Sequence, residues 1–154
     1  MTIKPTLIMM VGLPASGKST FAKQYAEKNE FAIVSSDKVR EMLYGDESIQ
    51  GDSKDVFETV HTMVLDNLKR GIDTIYDACN IHKHHRVEFL DRVNAEVPEC
   101  YKYCYHISTP LTDCFEGNEG RDRKVPVSVI SKMAIDFDEP FPEEGFAIVY
   151  IINS

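Results

Sequence analysis

The chain has 154 residues, 43% hydrophobic and 27% charged, a size at which roughly 68–70% of the unfolded surface can be buried, so one domain spanning 1–154 needs no metal or disulfide staple. Its formal net charge of -8 excludes a broad basic face that coats nucleic acid, and any such contact is expected at one end or a few phosphates. The longest apolar runs, 7–11 and 146–152, fall far short of the roughly 18 residues of a membrane span, so no membrane partner and a cytoplasmic location are expected.

In chain order, an apolar strand is expected at 7–11 and a helix at 18–28. A second strand at 31–35 leads to a helix at 37–44, with Asp37 suited to cap its start. Over 53–69 the apolar residues Phe57, Val60, Val64 and Leu68 repeat at helical spacing, and Gly71 supplies the stop. Strands at 72–77, 101–108 and 146–152 alternate with helices at 83–95 and 126–137, the latter opening on Pro126. Continuous apolar strands alternating with helices predict an α/β fold: a parallel five-stranded sheet with right-handed crossovers and helices on both faces. Ligands of such sheets sit at the carboxyl ends of the strands, which gathers 12–19, 35–37, 77–80 and 109–123 around one crevice. Cys79, Cys100, Cys104 and Cys114 have no C-x-x-C spacing and are expected reduced. The spacing of Cys100, Cys104, His106 and Cys114 argues against zinc.

Gly12-Leu13-Pro14-Ala15-Ser16-Gly17-Lys18-Ser19 matches G-x-x-x-x-G-K-[ST] between a strand and a helix. Backbone N–H groups and a helix N-terminus make an anion site there, and the glycines let the main chain wrap phosphates closely. Lys18 is expected to face the β- and γ-phosphates of ATP, the Ser19 hydroxyl can ligate Mg²⁺, and Thr20 is the last residue of the loop expected to bind ATP.

After the second strand, Asp37 and Arg40 lie at i and i+3 of a helix, able to address one ligand. A carboxylate there can take the proton of an attacking hydroxyl, and an arginine can fork onto a phosphate. The plainer alternative is a helix cap and a surface charge. Asp77 ends the third strand, placed either to organise Mg²⁺ through water or to hold Arg40. His82, His84 and His85 read as a solvated helix start. The cluster of Arg121, Arg123 and Lys124 before Pro126 suits a loop carrying arginine over phosphates.

Together these segments, with Asp77-Ala78-Cys79-Asn80 followed by Arg86 and Asn118-Glu119-Gly120-Arg121 leading to Val125-Pro126, resemble the kinase domain of phage T4-type polynucleotide kinases. The resemblance runs from Leu7 to about Phe137. It implies a P-loop kinase fold with a lid, ATP and Mg²⁺ as cofactors, and a 5′-hydroxyl end of DNA or RNA as acceptor. It further implies that Asp37 is the general base and Arg40 holds the neighbouring substrate phosphate. Asp77 would orient Arg40, and Asn80 and Arg86 would stand on the substrate side. Arg121 would be the lid arginine on ATP, with Lys18 as its catalytic companion and Arg123 as a further ATP contact. Gly117 departs from the family pattern, which commonly places arginine there, and the chain's length implies a kinase-only version. A P-loop kinase for a small metabolite, nucleotide or antibiotic hydroxyl is the alternative, and an ATP-binding switch is a more distant one.

Overall fold

A computed structural model describes residues 4–45, 53–121 and 124–153. The chain runs β1 (Thr6–Val11), α1 (Lys18–Asn29), β2 (Ala32–Ser35), α2 (Ser36–Tyr44), α3 (Ser53–Lys69), β3 (Thr74–Asp77), α4 (Lys83–Glu96), β4 (Tyr101–Ser108), α5 (Leu111–Glu119), α6 (Val127–Asp136), a 3₁₀ turn (Pro142–Glu144) and β5 (Ile148–Asn153). The five strands form one wholly parallel sheet in the order β2-β3-β1-β4-β5. This is the expected P-loop kinase α/β architecture, with α5 and α6 as lid-like helices. No helix among the described residues is long and apolar enough to cross a membrane.

The two-residue period of a strand explains why β1 is apolar throughout. Leu7, Met9 and Val11 pack with Val60, Val64 and Leu68 of α3 and with Phe89, Leu90 and Val93 of α4. Ile8 and Met10 point the other way, into a cluster with Ala22 and Ala26 of α1. The helical stripe read at Val60, Val64 and Leu68 is fully buried, and Phe57 is half-buried at its end. β5 shares the apolar composition without the burial. As the edge strand it leaves Ile148, Tyr150 and Ile151 exposed.

Local expectations change at several points. Ser35, not Asp37, caps α2: the Ser35 hydroxyl accepts from the Lys38 N–H at 3.4 Å. Asp37 is therefore inside the first turn, and its carboxylate is spared the capping role. Residues 111–119, expected only as part of a crevice loop, form the helix α5. The third strand begins at Thr74 rather than Ile72.

Candidate active site

The P-loop connects β1 to α1 and is shaped by two glycines. A β-carbon on Gly12 would approach the Ile107 carbonyl to 2.9 Å and Ser16 Oγ to 3.0 Å, so no larger residue fits without displacing β4. Gly17 holds φ at +99°, a region that costs other residues strain. From Gly17 the chain enters α1, whose start has no side-chain cap and no acidic residue in its first turn. The positive end of that helix, with Gly17, Lys18, Ser19 and Thr20, opens onto a cavity of about 1010 Å³.

All members of the expected ATP-binding set except Arg123 fall within the described residues. Pro14 and Ala15 line the cavity with Gly17 to Thr20, and Arg121 closes it from the end of α5. Lys18 Nζ donates to the Leu13 carbonyl at 3.0 Å, lying along its own loop. Gly12 and Leu13 line a separate recess of about 200 Å³. Ser16 is buried, its carbonyl accepts from Thr109 Oγ1 at 2.7 Å, and its Oγ makes no hydrogen bond among the described residues. Arg123 lies outside the described residues.

Ser19 Oγ donates to Asp77 Oδ2 at 2.9 Å. Asp77 is only 6% exposed, and burial pushes its carboxyl above the ordinary carboxylate range. Lys18 and the Ser19 hydrogen bond oppose that shift, and the nearby charge of Asp37 adds to it. Of the two roles considered for Asp77, the described contact is with the proposed metal ligand, whereas Arg40 pairs with Asp37. Arg40 Nη1 lies 3.4 Å from Asp37 Oδ1, and Arg121 Nη2 lies 4.0 Å from Asp37 Oδ2. Two arginines from α2 and the lid thus meet one carboxylate. Arg40 Nε is buried and makes no hydrogen bond among the described residues, and the guanidinium stands 5.9 Å from the centre of the Phe57 ring.

Asn80 and Arg86 both make hydrogen bonds within the framework. Asn80 lines the cavity at φ +50°, its amide donating to the Met10 carbonyl at 2.8 Å. Arg86, expected at the substrate, is 1% exposed. It forks onto Glu144 at 2.7 and 2.9 Å and donates to the Asn80 carbonyl at 2.8 Å. Its guanidinium is consumed in bracing the β3–α4 loop against the 3₁₀ turn.

Other site residues had only a faint signal in the sequence. Asn118 donates to the Val125 carbonyl at 2.7 Å and accepts from the Val125 N–H at 2.8 Å, cross-linking the base of the lid. Gly117 faces the P-loop: a β-carbon there would stand 3.0 Å from the Ala15 carbonyl, which accounts for the missing arginine. A second wall of the cavity is aromatic. His61 stacks on Phe89 with ring centres 4.3 Å apart at 26°, and His61 Nε2 lies 3.1 Å from the Tyr76 hydroxyl. Burial lowers the His61 pKa to about 4, with Arg92 and His85 acting the same way. His82 and His85 are exposed, as expected, but both also border the cavity. All four cysteines are free, and no group of three or more His, Cys, Asp or Glu among the described residues could hold a metal alone.

With the geometry in hand, three comparisons are informative. The model of one family, described as an AAA domain, matches residues 7–140. The L-seryl-tRNA(Sec) kinase of Methanococcus maripaludis is 29% identical over 141 residues, covering 87% of this chain and 53% of that protein. The chain thus spans about half the length of the curated relative it matches. Among solved structures, a chain of the Pnkp1/Rnl/Hen1 RNA repair complex superposes with a TM-score of 0.71 at 22% identity, over 88% of this chain and 45% of that one. A gluconokinase from Sinorhizobium meliloti 1021 gives 0.61 at 16% identity, over 99% and 84%. These two likenesses are likenesses of fold.

Proposed function

The chain belongs to this AAA-domain family, and on that premise we propose that it is an ATP-dependent phosphotransferase whose acceptor is a 5′-hydroxyl end of DNA or RNA. The observation that carries the reading is the meeting of Arg40 and Arg121 at Asp37 in the same cavity as Lys18, Ser19 and Asp77. Mere nucleotide binding has no use for a carboxylate held by two guanidinium groups opposite a phosphate loop.

Each residue has a task in that reading. The loop amides and Lys18 take the β- and γ-phosphates of ATP. Asp37 accepts the acceptor hydroxyl's proton as the new oxygen–phosphorus bond forms and the bond to the ADP oxygen breaks. Arg121 faces the charge spread over the transferring group, and Arg40 forks onto the acceptor's neighbouring phosphate. A hydroxyl and one buried carboxylate at Ser19 and Asp77 suit Mg²⁺, which takes its remaining oxygens from phosphates and water. When bound it supplies charge neutralisation at the phosphates.

Incubation with γ-labelled ATP and a panel of 5′-hydroxyl DNA, 5′-hydroxyl RNA, nucleosides and sugars tests the proposal. Label is expected on the polynucleotides. Label on a sugar hydroxyl alone would replace the reading with that of a small-metabolite kinase.

A further inference from the structure

The phosphate loop, Mg²⁺ ligands and proposed base account for one end of the cavity. The other end is closed by α3 and α4. Phe57 and His61, four apart on α3, present their rings there with Phe89 of α4 behind His61. Phe57 and His61 are half-buried, and Phe89 is buried. Their rims are polar, with Glu58 on α3 and Arg92 on α4. This wall is continuous with the acceptor side, because the Arg40 guanidinium stands 5.9 Å from the Phe57 ring centre and pairs with Asp37.

We infer that Phe57 and His61, backed by Phe89, seat the planar base of the acceptor's terminal nucleotide while Arg40 holds the adjoining phosphate. Three observations lead to that occupant. The wall offers π-faces, on which any base can stack, with charged groups such as Glu58 and Arg92 at its rim. The His61 ring is fixed from two sides, by its stack on Phe89 and by Tyr76 at Nε2, so it is pre-ordered rather than adaptable. Burial keeps the imidazole neutral at ordinary pH, which makes it an uncharged stacking surface. A base seat beside a phosphate clamp also explains how an acidic chain engages a nucleic-acid end through a few local contacts. The inference rests on the nucleic-acid reading above and adds the part of the acceptor that is recognised.

The test compares two acceptors, a nucleoside 3′-phosphate and its abasic ribose 3′-phosphate analogue, in wild type, His61→Ala and His61→Phe. Stacking on an aromatic side chain is worth enough that wild type should prefer the base-bearing acceptor by about 5- to 150-fold in kcat/KM. His61→Ala should bring that ratio towards one by slowing the base-bearing acceptor, and His61→Phe, which retains a ring, should keep most of it. A purely structural role would lower both acceptors together and leave the ratio in place. ATP affinity and thermal unfolding report whether each variant is folded. If His61→Ala does not fold, His61→Phe and Phe57→Leu carry the comparison, with the ratio kept in the first and reduced in the second. Equal wild-type rates on the two acceptors would overturn the base seat and leave the kinase reading standing, as would a ratio indifferent to all these substitutions. Transfer to a sugar with none to either nucleotide acceptor would overturn both.

Discussion

Ser19 Oγ donates a 2.9 Å hydrogen bond to Asp77 Oδ2, tying the end of the phosphate loop to the tip of β3 across 58 positions of sequence. The bond aims the Ser19 hydroxyl into the cavity from a carboxylate that the sheet itself buries. Asp77→Asn keeps the shape but removes the charge. It should raise the Mg²⁺ concentration for half-maximal phosphate transfer by roughly 10- to 100-fold, the usual loss when a group supporting a metal ligand is replaced. A Mg²⁺ titration of turnover checks this, and an unchanged midpoint would separate Asp77 from the metal.

Because Ser35 caps α2, Asp37 has no helix-capping duty to lose. Asp37→Asn should therefore lower kcat by about 10²- to 10⁴-fold with little change in ATP affinity or Tm. Near-normal turnover would remove Asp37 from the role of base.

Gly117 is close to the Ala15 carbonyl, so installing the arginine expected there from the resemblance should not add a phosphate contact. Gly117→Arg is expected to push α5 from the loop and weaken ATP binding several-fold, since forced packing typically costs about 1–3 kcal/mol. Equilibrium binding of ATP decides, and tighter binding would show that the lid yields readily.

Arg86 and Glu144 are a buried pair in which each satisfies the other. Arg86→Met strands a buried carboxylate, at a cost of about 3–5 kcal/mol, seen as a fall in Tm of roughly 6–20 °C for a domain of this size. Adding Glu144→Leu should recover part of the loss. A variant that keeps its Tm but loses one class of acceptor would return Arg86 to the substrate.

His61 titrates near pH 4 in the folded chain against 6.5 ordinarily. Between these values the unfolded chain binds more protons, so this contribution is complete above about pH 6.5 and is lost as pH falls towards 4. The loss is on the order of 2–3 kcal/mol. His85 and His106 shift the same way, whereas the raised Asp77 carboxyl favours the folded state on acidification through its own range. His61→Phe should flatten the decline of Tm between pH 7 and about 4.5 relative to wild type. An identical decline in the two proteins would mean that His61 is not buried neutral.

The P-loop, the alternation of strands and helices and the adjacency of Asp37 to Arg40 were legible in the sequence because each is a local pattern. A glycine-rich turn, a hydrophobic period and a spacing of three depend on neighbours within a few positions. Tertiary structure decided what depends on distant partners. The hydrogen-bond partner of Asp77 is one case: it is Ser19, which meets it once β3 is set beside β1. Arg86 read as a substrate residue because a charge in a motif is indistinguishable, in one dimension, from a charge about to be buried against Glu144, 58 positions away. The aromatic wall had no motif, since His61 of α3 meets Phe89 of α4 only once the two helices pack on the same face of the sheet. Chain order states which groups are present. Which group neutralises, braces or faces another is settled by burial, because only removal from water makes a charge require a particular partner.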